Sequence, residues 1–443
     1  MKPNLIPAAL SLLPAALMSV AGTVVASDTQ VGSSTAPAEC KYGFFWKDAF
    51  APAPSFRQQT RAPLPERASE YQVQVVAGGF NHPWSMAFLP DGRVLVTERV
   101  GQLRVVDRDG RVSAPIAGLP AMKVGPPGSL WDIVLDPDFA SNRWVYFNYF
   151  SPPANQPERT AEENARRWAD WLKKSPAERR LIDVGTGQVA RARLSDDSTR
   201  LEQVTNLASG VLDGRLRFAA DGTLMITSGA PAGPGSASDG EAQDLTNAYG
   251  KVLRVTRDGS IPDDNPFVGR QGIRQDIYSY GGRDIQGAAI RPGSGELWSS
   301  ESGPRGGDEL NLQRPKANLG YPLISYGREY SGAAINGGLT ARPGLAQPAY
   351  FWTPSIAPSG MTFYSGELFP EWQGNLFVAA LAAKRIQRLI LEGERVIAEE
   401  PLLLERCQRM RAVNQGPDGA LYVLTDEDAG QMLRIIPKAG AAR

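Results

Sequence analysis

A short turn followed by a β-prone run recurs six times along residues 90–425, and this repeat constrains the fold more than any other feature of the chain. The six turns are Pro90-Asp91-Gly92, Pro137-Asp138-Phe139, Ala220-Asp221-Gly222, Gly293-Ser294-Gly295, Trp372-Gln373-Gly374 and Pro417-Asp418-Gly419. The runs that follow them occupy 93–97, 144–149, 223–227, 296–298, 375–379 and 420–425. A Gly-, Asp- or Pro-rich turn before such a run indicates an antiparallel hairpin.

The spacing of these hairpins predicts one structural unit used six times. The turns lie roughly 45 to 85 residues apart, a period that indicates a repeat architecture. Six small antiparallel sheets around an axis form a six-bladed β-propeller, which is an all-β fold. A large β-sandwich is the alternative, although it does not need the same turn six times. We therefore predict a propeller of four-stranded blades over residues 70–443, with its chain ends close together and its function at one mouth of the channel.

One segment departs from this pattern and predicts a helix inserted between blades at about 157–182. Thr160 and Glu163 have the spacing of a capping box at a helix start. The apolar side chains that fall on one face of this helix are Ala165, Trp168, Trp171 and Leu172. Such a helix can pack its tryptophans on the propeller rim, or it can carry them as a lid over the mouth.

The N-terminus resembles a secretory signal peptide over residues 1–26. Lys2 precedes an apolar run from about residue 5 to residue 25, and Val24-Val25-Ala26 has the small residues of a cleavage site. An uncleaved membrane anchor is the alternative. Residues 27–69 are rich in Ser, Ala and Pro and predict a flexible segment. No later stretch reaches the roughly 18 apolar residues of a membrane span, so a secreted or periplasmic location is expected.

Composition excludes several classes of function. Lys and Arg total 47, as do Asp and Glu, so charge does not favour nucleic acid as a partner. His82 is the single histidine, which excludes zinc sites built on two or three histidines. The sequence also lacks a haem-attachment motif, a Gly-x-Ser-x-Gly elbow and a phosphate-binding loop.

Two cysteines, Cys40 and Cys407, lie far apart in the chain. In an oxidising compartment they could form a disulfide that fastens the N-terminal segment to the last part of the fold. Two unpaired thiols are the alternative.

Several long motifs resemble the soluble pyrroloquinoline quinone (PQQ)-dependent glucose/sorbosone and aldose sugar dehydrogenase family. They include His82-Pro-Trp-Ser-Met-Ala-Phe-Leu-Pro-Asp-Gly-Arg, Gly250-Lys-Val-Leu-Arg-Val, Glu301-Ser-Gly-Pro-Arg-Gly-Gly-Asp-Glu-Leu, Tyr350-Phe-Trp-Thr-Pro-Ser-Ile-Ala-Pro-Ser-Gly-Met and Arg409-Met-Arg. The resemblance covers nearly all of residues 71–440. It implies a propeller that binds PQQ and Ca²⁺, oxidises a small molecule such as a sugar, and passes electrons to a diffusible acceptor.

The resemblance also implies a calcium site and a cofactor site. Calcium would be held by the carbonyl oxygens of Gly303 and Pro304 and by the Asp308 carboxylate, which suits a hard cation. An ordinary acidic turn is the alternative. The residues that match cofactor contacts of the family are Arg283, Trp352, Arg409 and Arg411. Guanidinium groups suit a flat tricarboxylate, although each arginine could instead pair with a carboxylate of the rim.

The catalytic part of the resemblance is incomplete. In the family a histidine just before Gly-Arg-Leu takes the proton from the sugar, and here Val211 stands at that position. Ala230 stands where the family has the aspartate that orients this histidine. Further positions that depart from the family pattern near the site are Pro127, Asp284, Ser302 and Ala382. The sequence thus indicates a changed or an abandoned reaction.

Three functions remain open from the sequence. The first is a dehydrogenase whose base is a carboxylate: Asp213, two residues from Val211, is preferred over Asp132 and Asp284, and Arg283 is grouped with it as catalytic. Asp213 could also be a turn residue before Gly214. The second function is a calcium-containing propeller that binds a carbohydrate or other ligand without turnover. The third is a calcium-dependent lactonase or hydrolase, which rests on analogy of fold alone.

Overall fold

The computed structural model of this 443-residue chain describes residues 50–123, 129–152, 166, 185–230 and 240–438. The predicted signal peptide at 1–26 lies outside these ranges, as does the predicted helix at about 157–182 apart from Arg166. None of the helices in the described part is long and apolar enough to cross a membrane.

Six antiparallel sheets account for the described fold, five of four strands and one of three. Sheet one contains β2 (Pro83–Phe88), β3 (Val94–Glu98) and β4 (Gln102–Val106), and sheet two contains β5 (Leu130–Leu135), β6 (Trp144–Ser151), β7 (Thr186–Leu194) and β8 (Leu201–Ser209). Sheet three contains β9 (Leu216–Phe218), β10 (Leu224–Ser228), β11 (Lys251–Val255) and β12 (Ile277–Ser279), and sheet four contains β13 (Ile285–Ile290), β14 (Leu297–Glu301), β15 (Asp308–Leu312) and β16 (Tyr350–Trp352). Sheet five contains β17 (Pro358–Phe363), β18 (Leu376–Ala380), β19 (Arg385–Glu392) and β20 (Arg395–Leu402), and sheet six contains β21 (Met410–Gln415), β22 (Leu421–Thr425), β23 (Gly430–Pro437) and β1 (Tyr71–Phe80). The helical elements with described bounds are α1 (Phe139–Asn142) and the 3-10 turns Ile335–Gly338 and Pro370–Trp372, and Arg166 is a further helical residue.

These sheets form a closed six-bladed β-propeller, as the sequence predicts. The first strands β2, β5, β9, β13, β17 and β21 each contact the first strand of the next sheet, and β21 contacts β2. Strand β1 closes the ring by pairing antiparallel with β23, from Tyr71 opposite Pro437 to Phe80 opposite Gly430. The two ends of the propeller therefore meet in sheet six. The expectation of four strands in every blade is wrong for sheet one, where only an isolated Val106–Val112 bridge follows β4 among the described residues.

Each repeated run of the sequence forms the second strand of its blade. These strands are β3, β6, β10, β14, β18 and β22, and nearly all of their residues are buried. Because neighbouring blades cover both faces of a second strand, the runs are almost continuously apolar instead of alternating. The preceding turns need a left-handed backbone, which Gly92 and Gly222 adopt with φ of 85° and 80°.

The propeller holds residues 50–69 in place, whereas the sequence predicts that they belong to a flexible segment. They form no strand or helix. Gln59 is buried, its carbonyl oxygen accepts the Phe351 N–H at 2.8 Å, and its side chain donates to the Pro348 carbonyl at 2.9 Å. The Pro63 carbonyl accepts the Glu399 N–H at 2.9 Å. The segment thus occupies hydrogen-bonding groups along the outer strands of sheets four and five before β1 begins.

Arg215 lies on the axis of the ring, and its side chain contacts all five of the other blades. Its side chain is 1% exposed, and its guanidinium carbon lies 3.7 Å from the ring centroid of Trp84. The guanidinium donates to the Trp84 carbonyl (3.4 Å), Asp132 Oδ1 (3.3 Å), the Gln286 carbonyl (3.1 Å), Ser359 Oγ (3.4 Å) and the Arg411 carbonyl (3.1 Å). These five partners lie on the first strands of five different sheets. Burial lowers the pKa of Arg215 to about 9, and Asp132 opposes this shift.

Candidate active site

The predicted site residues gather at one mouth of the channel because of their positions in the blades. Most of them lie just before the first strand of a sheet or just after the second strand, and these two strands are antiparallel in every blade. The start of the first strand and the end of the second therefore meet at the same end of the blade. The residues placed there include His82, Arg99, Asp213, Ala230, Arg283, Asp284, Gly303, Ala382, Arg409 and Asp426.

On one side of this mouth, three arginines surround Asp426. We call this group the arginine side: Arg99, Arg409, Arg411 and Asp426. Asp426 Oδ2 lies 2.6 Å from Arg411 Nη2 and 3.6 Å from both Arg99 Nη1 and Arg409 Nη2. Burial alone would raise the pKa of Asp426, but the arginines and His82 hold this pKa well below its usual value. Positive charge remains in excess, and the Arg409 side chain is 42% exposed.

His82 belongs to the same region but offers no free base. Its Nδ1 lies 2.8 Å from Asp426 Oδ1 and its Nε2 lies 2.9 Å from Asp428 Oδ1. Both ring nitrogens therefore face carboxylates, so neither is left to accept a proton from a substrate. Arg99 was not among the candidates from sequence, although its position just after a second strand, equivalent to that of Asp426, could have identified it.

On the opposite side of the mouth, two carboxylates share one amide group. We call Asp213, Asp284 and Gln286 the acid side. Gln286 Nε2 donates to Asp213 Oδ2 at 2.9 Å and to Asp284 Oδ1 at 2.8 Å. Asp213 is buried, and its Oδ1 has no hydrogen-bond partner among the described residues. Burial, followed by the nearby charge of Asp284, raises the pKa of Asp213 to about 7.

Asp132, the third base candidate from sequence, has a structural role instead. Its carboxylate accepts hydrogen bonds from Ser85 Oγ and from the Leu216 N–H at 2.7 Å. It also pairs with Arg215 at 3.3 Å and with Arg217 at 2.9 Å. Both oxygens are thus engaged, and the fully buried carboxylate holds the axial arginine in place. These contacts agree with the preference for Asp213 over Asp132 as the candidate base.

The two positions where the sequence lacks the family's proton-transfer residues lie directly beside this site. Val211 is buried in an apolar cluster with Val189, Leu216 and Ile226. Ala230 follows Gly229 at the end of the second strand of sheet three, and its N–H donates to the Arg283 carbonyl at 2.5 Å. Neither the valine nor the alanine side chain can accept a proton.

Arg283 links the acid side to the loop predicted to bind calcium. Its Nη1 donates to the Ser302 carbonyl at 2.5 Å, and the Ser302 N–H donates to the Asp284 carbonyl at 3.0 Å. The guanidinium carbon lies 6.0 Å from the ring centroids of both Tyr321 and Tyr330. Tyr330 is exposed, so Arg283 sits beneath an aromatic ring at the rim of the mouth.

The loop from Gly303 to Asp308 is folded around the Asp308 carboxylate. Oδ1 accepts the Gly303 N–H at 2.9 Å, and Oδ2 accepts the N–H groups of Ile356 at 2.7 Å and Ala357 at 2.9 Å. Ser355 Oγ lies 2.9 and 2.8 Å from the two oxygens. Burial raises the pKa of Asp308 to about 6, against these hydrogen bonds. A carboxylate with this many donors organises the loop, and its role as a calcium ligand stays a prediction.

The two backbone carbonyl groups predicted to bind calcium lie in the same loop as Asp308. Among the described residues, no hydrogen bond reaches the carbonyl oxygen of Gly303 or of Pro304. No group of three or more His, Cys, Asp or Glu side chains with the arrangement of a metal site occurs in the described part of the chain. Carbonyl oxygens suit Ca²⁺, so the donor set of this loop fits calcium through its backbone.

Trp352 does not join the arginines at the mouth. It lies on β16, the outermost strand of sheet four, and its buried indole Nε1 donates to Glu399 Oε1 at 2.7 Å. Its ring packs edge-on against Tyr350, 5.2 Å away between centroids. Trp352 thus contributes to packing between sheets four and five, and its contact with the cofactor stays a prediction.

Two further predictions touch residues outside the described ranges. Pro127, expected near the substrate, lies in such a gap. Cys407 lies on the loop before β21 and is disulfide-bonded. Cys40, the other cysteine of the chain, is also outside the described residues, so its pairing stays a prediction.

Comparison with known proteins agrees with this arrangement. The Glucose / Sorbosone dehydrogenase family profile matches residues 80–434. Aldose sugar dehydrogenase YliI of Escherichia coli is 38% identical over 373 residues, which cover 83% of this chain and 93% of that protein.

Two solved structures have the same fold. The apo form of the soluble aldose sugar dehydrogenase from Escherichia coli matches with a TM-score of 0.73 and 36% identity over 83% of this chain and 100% of that one. The PQQ-bound aldose sugar dehydrogenase of Streptomyces coelicolor matches with a TM-score of 0.61 and 25% identity over 83% of this chain and 99% of that one. With its propeller, its converging mouth residues and the profile match over most of its length, the chain belongs to the glucose/sorbosone dehydrogenase family.

Proposed function

We propose that this protein is a PQQ- and calcium-dependent oxidoreductase that oxidises a sugar or another alcohol outside the cytoplasm, with Asp213 as its base. The observation that carries the proposal is the buried Asp213 carboxyl at the mouth, whose pKa of about 7 allows it to take up a proton near neutral pH. The family, the PQQ-bound relative and the predicted signal peptide support the cofactor and the location.

The arginine side fits an anionic cofactor. Its three guanidinium groups exceed the charge of Asp426, and Arg411 Nε is buried without a hydrogen-bond partner among the described residues. The planar carboxylates of PQQ can accept bidentate hydrogen bonds from such groups. Arg409 and Arg411 would therefore hold the cofactor from this side, with Arg283 on the other side of the mouth. Ca²⁺ would bind the carbonyl oxygens of Gly303 and Pro304 in the loop that Asp308 shapes.

The chain's own contribution to the reaction is proton transfer at Asp213. Bound PQQ supplies the two-electron acceptor. The ionised Asp213 accepts the hydroxyl proton of the alcohol at Oδ1, the oxygen without a hydrogen-bond partner in the described part of the chain. The other oxygen is held by Gln286, which fixes the direction of the carboxylate. A diffusible electron acceptor then completes the turnover.

A binding protein without turnover is the second candidate, and the apolar pair Val211 and Ala230 favours it. Both members of the family's proton-transfer pair are absent, and Val211 is packed into the core. On this alternative, the mouth retains calcium and a carbohydrate or other ligand, while Asp213 is only a turn residue with φ of 33°.

Reconstitution of the purified protein with PQQ and Ca²⁺ separates these functions. We expect dye reduction with aldoses, and a loss of about 10²–10⁴-fold in Asp213→Asn with cofactor binding retained. The control variant Asp138→Asn changes an exposed carboxylate in a turn at the other end of the propeller and should keep full activity. Cofactor capture without dye reduction in the native protein would support the binding protein instead. Lactone or ester cleavage without quinone would contradict both.

A further inference from the structure

On the acid side, two carboxylates share one amide group, whereas a single base needs only one carboxylate. The carboxylates of Asp213 and Asp284 come from the loops before the first strands of sheets three and four, and the same amide nitrogen of Gln286 donates to both. An amide NH₂ group has two hydrogens, so it can donate one to each carboxylate. Gln286 Oε1 is buried and has no hydrogen-bond partner among the described residues. The glutamine is thus oriented by the two acids.

Gly229 shows how close the two carboxylates come. A Cβ atom at this glycine would lie 2.9 Å from Asp284 Oδ1 and 3.0 Å from Asp213 Oδ1. The two oxygens therefore lie within about 6 Å of each other, on either side of a position that only glycine leaves open. Asp213 Oδ1 is also the oxygen that lacks a hydrogen-bond partner in the described structure.

The charges around this pair come from several blades. Arg99 and Arg411 face Asp213 from sheets one and six, and Arg283 and Glu301 face Asp284 within sheet four. Among the described residues, no ion pair joins either carboxylate of the pair to an arginine or lysine within 4.0 Å. Asp284 is partly buried and Asp213 is buried, and a second carboxylate this close, without a bridging cation, disfavours ionisation of Asp213.

We propose, on the basis of the proposed function, that Asp284 is a positioning residue: its carboxylate, held beside Asp213 by the shared Gln286 amide, adjusts Asp213 to accept the substrate proton. Gln286 keeps the two carboxylates in register. The only chemical step is a proton transfer, from the substrate hydroxyl to the Asp213 carboxylate and later to water. Asp284 does not touch the reacting atoms; its negative charge disfavours ionisation of Asp213 and so makes Asp213 a stronger base.

The pair can be tested in the full apo-protein without turnover. NMR of the isotope-labelled aspartate carboxyl carbons follows ionisation directly, and the Asp213 signal is assigned by its loss in Asp213→Asn. We expect Asp213 to titrate near neutral pH in the native protein. In Asp284→Asn its midpoint should fall by about one pH unit or more, because strongly coupled sites interact by at least that amount. Asp284→Glu should restore a midpoint near neutrality, and the control Asp428→Asn should not move it.

An unchanged Asp213 midpoint in Asp284→Asn would overturn the inference, since a purely structural Asp284 predicts that result. In the PQQ-loaded enzyme, the acid limb of the kcat/KM profile should move to lower pH in Asp284→Asn by the same amount as the NMR midpoint. If Asp284→Asn lowers the Asp213 midpoint in the apo-protein while the loaded protein reduces no dye, the proposed function fails and the effect of Asp284 on Asp213 stands. A normal pH profile in Asp284→Asn with active enzyme would overturn the positioning role alone.

Discussion

The two sides of the mouth treat negative charge in opposite ways. On the arginine side, one carboxylate faces three guanidinium groups and a histidine, so Asp426 stays ionised to low pH. On the acid side, two carboxylates face one neutral amide, so Asp213 is held back from ionisation. The difference shows that the same depth of burial raises or lowers an acid's pKa according to its partners. One side is suited to hold an anion, and the other to move a proton.

This contrast has opposite consequences for stability against pH. The pKa of Asp426 is depressed in the folded state, so its contribution is present above the unfolded value of about 4 and is lost as the pH falls. The pKa of Asp213 is raised to about 7, so its contribution is present below about 4 and is lost as the pH rises towards 7.

The largest effect is expected when the arginine side loses its carboxylate. Asp426→Asn leaves Arg99, Arg409 and Arg411 clustered without their buried counter-ion. Breaking a buried ion pair from one side typically costs about 3–5 kcal/mol, and urea unfolding should show a loss of that size at neutral pH. Asp428→Asn is the matched control, because that side chain is 87% exposed and should change stability by less than about 0.5 kcal/mol. Equal effects of the two variants would mean that the cluster does not depend on Asp426.

The next largest effect concerns cofactor binding. Arg409→Ala should raise the Kd for PQQ about 10- to 100-fold, because a hydrogen bond between charged groups contributes about 1.5–3 kcal/mol. Titration of the apo-protein with PQQ measures this directly. Arg434→Ala, in the same sheet but paired with Asp418 at the other end, should bind PQQ normally. Unchanged affinity in Arg409→Ala would remove the arginine side from the cofactor site.

The raised pKa of Asp213 should change how the free energy of unfolding depends on pH. Between about pH 4 and pH 7, the folded protein binds more protons at Asp213 than the unfolded chain does, which makes the free energy of unfolding fall as the pH rises. Asp213→Asn removes this fall, so the slope should change by up to about 1.4 kcal/mol per pH unit. Urea unfolding of both proteins at several pH values measures the difference. Parallel curves would show that Asp213 ionises normally and that the two sides do not differ as described.

The smallest effect is expected from crowding the acid side without changing its charge. Gly229→Ala places a methyl group about 3 Å from an oxygen of each carboxylate, and such overpacking typically costs about 1–3 kcal/mol. We expect the lower end of this range, since the shortest contacts are with side-chain oxygens and the nearest backbone atom lies 3.4 Å away. Gly78→Ala meets its nearest atoms at 3.9 Å and serves as the control. If both glycines tolerate alanine equally, the pair is looser than the distances indicate.

The sequence predicts the propeller well because each blade carries its own turn and its own buried second strand. The turn at Asp221 and the strand β10 that follows can be recognised within a dozen residues, without knowledge of the rest of the chain. The arginine side is partly predictable for the same reason, since Arg409 and Arg411 belong to one short motif.

The acid side could not be predicted in the same way. Asp213 and Asp284 are separated by about seventy residues, and only the closure of sheets three and four around the axis brings both to Gln286. Trp352 and residues 50–69 illustrate the opposite difficulty. An aromatic residue in a matching motif and a Ser/Pro-rich stretch both found partners on outer strands, where local sequence carries little information about neighbours.

Arg215, on the axis of the ring, determines whether the central channel of the propeller is open at both ends. Because the Arg215 guanidinium stacks on Trp84 and bonds to the first strands of the other five sheets, the channel is closed below the mouth. Anything that reaches the acid side and the arginine side must leave through the opening by which it came. An alcohol and an electron acceptor would then have to share the same opening, so each at high concentration should hinder the entry of the other. A channel closed at one end would in this way make the two reactants compete for a single entrance.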